Sequence, residues 1–183
     1  SFRGLQRSLN ALVDEAISIS SIDERPLGFS ARFDALWREY HYHICTSTAR
    51  PVLIAPIAWH LGGVTLDIDA MNEACSHLIG EHDFKSFCMA ASAVGKPTHR
   101  NVMELSVYPE VIAGTEVVTI RVVGNAFLHS MVRTMVGTLV EVGRGSKSPS
   151  WVGDVLAACD RRAAGQNAAA AGGDLGVGLL LLG

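Results

Sequence analysis

Two kinds of hydrophobic repeat organise the chain, one of period two and one of period three to four. Leu5, Leu9 and Leu12 form a weak helical pattern, Ile17-Ser18-Ile19 alternates like a strand, and Pro26 with Gly28 marks a turn. From Phe33 to Cys45 the chain is rich in aromatics, and alternation there predicts a strand with Arg38, Tyr40, Tyr42 and Ile44 on one face and Glu39, His41 and His43 on the other. Pro51 and Pro56 break the chain beyond that strand, and residues 59–66 read as an irregular connection. Asp69 is placed to cap a helix that buries Met71, Ala74, Cys75, Leu78 and Ile79 and stops at Gly80. Residues 81–100 read as a long polar loop, and loops of that length are uncommon unless they have a function. Met103, Leu105 and Val107 alternate, as do Val118, Ile120 and Val122 beyond Gly114, which predicts an antiparallel pair. The clearest helix opens at Gly124-Asn125, with apolar pairs at Phe127 and Leu128, Met131 and Val132, Met135 and Val136, and Leu139 and Val140. Its other face carries His129, Ser130, Arg133, Thr134, Thr138 and Glu141, a polar surface expected to contribute little packing. Gly143 ends it, and Ser148-Pro149 starts a further helix whose apolar side includes Trp151, Val155 and Cys159.

Composition narrows the classes. With 183 residues, 49% of them hydrophobic, and a net charge of −3, the chain can bury a core and is not disordered. Its longest apolar runs, such as Leu179 to Leu182, are far short of a membrane span, and no cationic-then-apolar opening suggests secretion, so a cytoplasmic protein is expected. Four scattered cysteines with no C-x-x-C pair argue against a zinc site and for reduced thiols. The slight acidity argues only weakly against a nucleic acid, because a binding face needs local charge alone. Twelve arginines against three lysines favour directional recognition of phosphate or carboxylate.

Arg133 is the most informative charge. Positions three and four residues away hold His129, Ser130, Val136 and Gly137, so no acid on its own helix can pair with it. It is either a solvated arginine or one whose partner, a carboxylate or a phosphate, lies elsewhere. Tyr40 and Tyr42 beside Arg38 fit cross-strand packing best, yet an aromatic shelf next to an arginine also holds RNA bases by stacking. Phe84 and Phe87 either pin their loop to the body or present rings to a substrate. The run from Gly143 to Ser148 lacks the Gly directly before Lys that a P-loop needs and comes after a helix, so it reads as a helix stop whose Arg144 and Lys147 could touch phosphates. His60, His77, His82 and His99 have no nucleophile or carboxylate at motif spacing, which leaves a serine or cysteine hydrolase with little support.

Several stretches together resemble the tRNA pseudouridine synthase A family. Phe29-Ser30-Ala31-Arg32-Phe33-Asp34-Ala35 followed by Arg38-Glu39-Tyr40-His41-Tyr42 is similar to its F-H-A-R-F-x-A and R-x-Y-x-Y segment, with Ser30 in place of the histidine. Gly80-Glu81-His82-Asp83-Phe84 to Phe87 is similar to its G-x-H-D-F-x-S-F loop. The most specific match runs from Gly124-Asn125-Ala126-Phe127-Leu128-His129-Ser130-Met131-Val132-Arg133 through Gly137-Thr138 to Val142-Gly143. The resemblance is collinear from about Leu9 to Gly165.

The resemblance implies an α+β fold of the pseudouridine synthase kind, an antiparallel sheet flanked by helices. The implied activity is isomerisation of uridine to pseudouridine in the anticodon stem-loop of tRNA, by a homodimer, with no metal or organic cofactor. Tyr40 matches the family tyrosine that stacks on the target uridine, and Arg133 matches the basic residue that pairs with the catalytic aspartate. Arg38, Phe84, Lys85, Arg144 and Lys147 become candidate RNA contacts. The family's aspartate lies in an R-T-D-x-G-V-H-A stretch that the 183 residues do not contain. Asp174-Leu175-Gly176 has the D-x-G spacing, but no Arg-Thr precedes it and no Val-His comes after it, so it is not taken as that residue. The expectation is a C-terminal portion of a synthase, residues 1–165 belonging to its catalytic core and 166–183 forming a low-complexity tail that ends in a strand. Alone it should lack turnover. A non-catalytic RNA-binding or assembly module derived from the family is the alternative, while a small-molecule α/β enzyme would need a nucleophile or cofactor motif that is not found.

Overall fold

The computed structural model describes residues 1–15, 17–30, 33–89, 91, 94–169 and 179–182. Two compact units divide the chain, Ser1–Ala35 and Leu36–Gly183. In the first, helix α1 (Phe2–Asn10) uses its own side chains to hold the segment predicted as a strand. Asn10 Nδ2 donates to the Ile19 carbonyl (3.0 Å) and its Oδ1 accepts from the Ile19 N–H (2.7 Å), while Gln6 Nε2 donates to the carbonyls of Ile19 and Ser20. Those backbone groups are thus answered without a sheet. The turn at Pro26 forms as expected, with Gly28 at φ +94°.

The second unit is a sheet with helices on one face. Its elements are β1 (Arg38–Cys45), β2 (Ala58–His60), α2 (Ile68–Cys75), β3 (Gly80–Asp83), β4 (His99–Ile112), β5 (Thr115–Gly124), α3 (Met131–Gly143), α4 (Trp151–Ala158) and β6 (Leu179–Leu182). Strand order is β2-β1-β5-β4-β3, with β6 also on β1. One edge of β1 takes β5 antiparallel, while the other is shared: β6 lies antiparallel along Glu39–Tyr42 and β2 parallel along His43–Cys45. The architecture is therefore α+β with a mostly antiparallel sheet.

Burial matches the predicted alternation. Tyr42 and Ile44 of β1, Val118, Ile120 and Val122 of β5, and Leu105 and Val107 of β4 meet Met71, Met135, Leu139 and Val152 from the helices in one core. The antiparallel pair carries one bulge, between Val102 and Glu104, which sets Met103 out of phase. Val102 is buried in place of Met103, which is 42% exposed. Asn72 of α2 exchanges two hydrogen bonds with the Val107 backbone, occupying the stretch of β4 that lies beyond β3.

Several boundaries differ from the sequence expectation, beginning with β2, which forms at the start of the stretch read as an irregular connection. Asp67, not Asp69, caps α2: its backbone is extended and its carboxylate accepts from the Ala70 N–H at 2.9 Å, which leaves Asp69 inside the first turn. The helix ends at Cys75, and Ile79 is exposed while Leu78 is buried in the turn beyond. The supposed long loop is largely structured, since residues 80–83 pair with β4 and a 3₁₀ turn comes next at Lys85–Phe87. Phe84 and Phe87 are wholly buried with their rings edge-on, so both pack the core and Phe84 presents no exposed ring in this structure. Finally, α3 starts at Met131, not near Gly124. Asn125 exchanges hydrogen bonds with the Asn101 backbone, and the chain turns into the helix through Ser130 at φ +63°. Phe127 and Leu128 matched the helical spacing because they pack on the same core from an irregular segment.

The sheet face away from the helices is polar. Glu39 takes two hydrogen bonds from Arg121 (2.5 and 3.2 Å) and one contact from His41 (2.8 Å), and Arg121 also reaches Glu104. The Arg121 guanidinium, and then His41, hold the Glu39 carboxyl down at about 2. A carboxyl depressed in the folded state binds fewer protons there than when unfolded. Its stabilisation is therefore complete above the ordinary 4.5 and is lost as pH falls towards 2. Denaturant titrations between pH 6 and roughly 2 should show the wild type losing stability more steeply than Glu39→Gln, with the two curves converging at the acid end. Parallel curves would remove the pair from the acid response.

Candidate functional site

The site lies where the start of α3 meets the Tyr40 position of β1. Tyr40, Phe127, Leu128, His129, Ser130, Met131, Val132 and Arg133 line a cleft of about 260 Å³. Tyr40 and Phe127 meet edge-on with ring centroids 5.2 Å apart, so the tyrosine is braced from one side and only partly buried. Two residues on, Tyr42 points to the same sheet face but is 2% exposed and gives its hydroxyl to the Ala169 carbonyl. The two tyrosines thus divide the two readings of the aromatic pair, Tyr42 in the core and Tyr40 at the cleft. Burial pushes the Tyr42 phenol well above its ordinary range, the nearby Arg133 charge opposing this only in part.

Arg133 owes its position to a strap. Residues 164–169 cross the face of α3 that the sequence presents as polar, and they bury Thr134 and Thr138 completely. That face is covered, which corrects the expectation that it contributes little packing. Ala168 N–H donates to the Arg133 carbonyl and Arg133 Nε donates to the Ala168 carbonyl, both at 2.9 Å. The approach requires glycine on α3: a Cβ at Gly137 would lie 1.7 Å from the Gln166 carbonyl oxygen. A Cβ at Gly165 would in turn lie 2.9 Å from the Thr138 Cα. Among the described residues, Arg133 forms no ion pair, and its other N–H groups are left to the cleft it lines.

The remaining sequence candidates are dispersed. Arg38 Nη1 donates to the Asn125 carbonyl at 2.7 Å, so it braces the segment leading to the cleft. Lys85 is exposed on the 3₁₀ turn. Arg144 and Lys147 are exposed beyond the far end of α3, about 20 Å from its start at 1.5 Å per residue, and Lys147 sits 5.3 Å from the Trp151 ring centroid. Asp174-Leu175-Gly176, with Ala31 and Arg32 of the first motif, lies outside the described residues. Sequence reasoning missed the strap. Its signal was Gly137 in the middle of the predicted helix, a position where a close backbone approach is expected.

Among the described residues no three of His, Cys, Asp and Glu are grouped to hold a metal ion. The four cysteines are free, and burial raises the Cys75 thiol to about 12. A second hollow of about 440 Å³, between Thr46 and residues 109–118, carries Glu110 and Glu116 but neither an aromatic wall nor a cation. Of the two, the first combines a ring with a guanidinium, which suits a planar ligand beside an anionic group.

Fold and cleft therefore define an α+β protein with a small site where β1 meets the start of α3. The family described as tRNA pseudouridine synthase matches residues 74–176, more than half of the chain. The tRNA pseudouridine synthase A of Brevibacillus brevis is 44% identical over 164 residues, 90% of this chain and 65% of that protein. That of Streptomyces avermitilis is 40% identical over 156 residues (84% and 52%), and that of Francisella tularensis subsp. novicida 40% over 168 residues (91% and 62%). The chain belongs to the tRNA pseudouridine synthase family and spans between half and two thirds of the length of these curated relatives.

Gly137→Ala should displace the strap and cost about 1–3 kcal/mol, the usual range for overpacking, read as a lower urea midpoint at unchanged slope. An unchanged midpoint would mean that the strap is not held against α3.

Proposed function

We propose that this chain is the C-terminal portion of a synthase that isomerises uridine to pseudouridine in the anticodon stem-loop of tRNA. The observation that carries this reading is the Arg133 guanidinium, which opens on a cleft walled by Tyr40 and meets no carboxylate among the described residues. Such a cation keeps an aspartate from another segment ionised in a partly dry pocket. In this reading the aspartate comes from the R-T-D-containing stretch that the family carries and these residues lack. Tyr40, held edge-on by Phe127, stacks on the uracil ring. The uridine has to leave the RNA stack, because the bond exchanged joins base to sugar within a stacked nucleotide. The glycosidic bond moves from N1 to C5, and the C5 hydrogen is released to solvent. The carboxylate attacks sugar or base, or removes a sugar proton; the cleft residues are compatible with each route.

Arg38, Lys85, Arg144 and Lys147 serve as contacts to the RNA backbone in this reading, the last two reaching phosphates some 20 Å from the target base. The protein acts in the cytoplasm as a homodimer, without metal or organic cofactor. No helix of the described residues is long and apolar enough to cross a membrane.

The deciding experiment measures tritium release from tRNA labelled at uridine C5, together with tRNA binding. The 183-residue chain alone should bind tRNA with an affinity that falls steeply with salt, and should not turn over. In the full-length protein Arg133→Ala should lower turnover by at least about 10²-fold. Loss of the Arg133 bond to the strap should cost only about 1–2 kcal/mol of stability. Turnover by the chain alone would overturn the reading. Salt-independent binding would remove RNA as its partner, and binding without turnover by the full-length protein would make it a non-catalytic RNA-binding module.

A further inference from the structure

We propose that Asn167 and Arg161 are positioning residues, which act through the strap to fix the plane of the Arg133 guanidinium in the cleft. The proposal rests on the role of Arg133 as partner of the reacting carboxylate and extends it to residues that line no part of the cleft. Asn167 Oδ1 accepts two hydrogen bonds, from Thr134 Oγ1 of α3 at 2.6 Å and from Arg161 Nη2 at 3.0 Å. Arg161 Nη1 also donates to the Gly165 carbonyl at 3.0 Å, so one guanidinium spans both ends of the bend from Gly165 to Asn167. The Gly165 N–H in turn donates to Thr138 Oγ1 at 3.1 Å. The strap is thereby tied to α3 one residue before Ala168, whose carbonyl holds Arg133 Nε.

The geometry matters because a guanidinium is planar and its donors form a rigid fork. Fixing Nε–H on a carbonyl sets the plane and so the direction in which the two terminal nitrogens present themselves. An arginine without that anchor samples several rotamers, and misplacement of about 1 Å at a reacting centre costs on the order of 10²-fold in rate. Ala168 has no side chain with which to set its own carbonyl. Its orientation comes from its N–H on the Arg133 backbone and from the neighbouring Asn167 tether. Asn167 is exposed, so its replacement opens no cavity.

The required group is an acceptor at the Oδ1 position, which distinguishes the conservative variant from the disabling one. In the full-length protein, assayed by tritium release from C5-labelled tRNA, Asn167→Ala should lower kcat about 10- to 100-fold with KM for tRNA within about twofold of wild type. Asn167→Asp, which keeps the acceptor, should recover most of that loss. In an Arg133→Ala background Asn167→Ala should have no further effect, since the two act in series. An equal further loss in that background, or a raised KM at unchanged kcat, would overturn the proposal. The 183-residue chain gives a readout independent of turnover. Hydrogen exchange of the Arg133 Nε–H, followed by nitrogen-15 NMR, should become at least about tenfold faster in Asn167→Ala and not in Asn167→Asp, whereas unchanged exchange in Asn167→Ala overturns the tether. Full activity of Arg133→Ala would instead sink the role of Arg133 and leave this exchange measurement standing on its own.

Discussion

A helix covered on nearly every side must have its polar groups answered from outside, and that requirement organises the functional end of this protein. Helix α3 buries Met131, Met135, Leu139 and Val142 against the sheet and α2, yet its other side carries Thr134 and Thr138, both fully buried. Unanswered, each hydroxyl would carry a desolvation cost of about 1–3 kcal/mol. Thr138 bonds back to the Thr134 carbonyl and receives the Gly165 N–H, while Thr134 meets Asn167 and the Ser130 carbonyl. The strap that does this can approach only because Gly137 and Gly165 have no side chain. One strap both satisfies the helix and anchors Arg133.

The sheet divides its two faces between different tasks. Towards the helices it is a continuous apolar layer from which β1 lifts Tyr40 to the rim of the core. On the reverse side the same strand carries Glu39, His41 and His43, and Arg121 bridges Glu39 to Glu104 across three strands. His43 Nδ1 lies 2.9 Å from Thr119 Oγ1, which also meets Glu110, and burial lowers the histidine's tendency to protonate while Glu110 opposes that. Period-two alternation in eight residues therefore builds a site wall on one side and a charged, hydrogen-bonded layer on the other.

How much of this the residues disclosed depends on the range of the forces involved. Alternation in β1 placed Tyr40 and Tyr42 together, and helical spacing showed that Arg133 had no acid within pairing distance on its own helix; both are local facts. The resemblance added their roles. Local rules failed where a distant partner decides the outcome. Asp67 and Asp69 are equally good caps by type, and the extended backbone of Asp67, whose N–H bonds the Gly143 carbonyl, decides between them. Residues 80–83 carry no alternation of their own and become a strand because β4 offers an edge. Phe84 and Phe87 looked available to a ligand until Ser86 and the turn beyond α4 closed over them, with the Asp160 N–H on Ser86 Oγ. The strap lies over thirty residues from Thr134, in a stretch with neither periodicity nor charge, so only its glycine partner left a mark in the sequence.

The shared edge of β1 bears on the order in which the protein is made. Tyr42 is bonded to Ala169, and β6 lies along Glu39–Tyr42, so the strand holding the aromatic wall closes against residues far along the chain. Contacts separated by more than a hundred residues are slow to form, because the intervening loop must lose its freedom first. On the ribosome, β1, β5 and α3 can assemble while the segment that covers α3 is still inside the exit tunnel, leaving Thr134, Thr138 and a sheet edge open until that segment emerges. The strap that holds Arg133 is thus added only after the strands and helix it packs against. A nascent chain has its core before it has a fixed arginine, which separates acquiring a fold from acquiring a site.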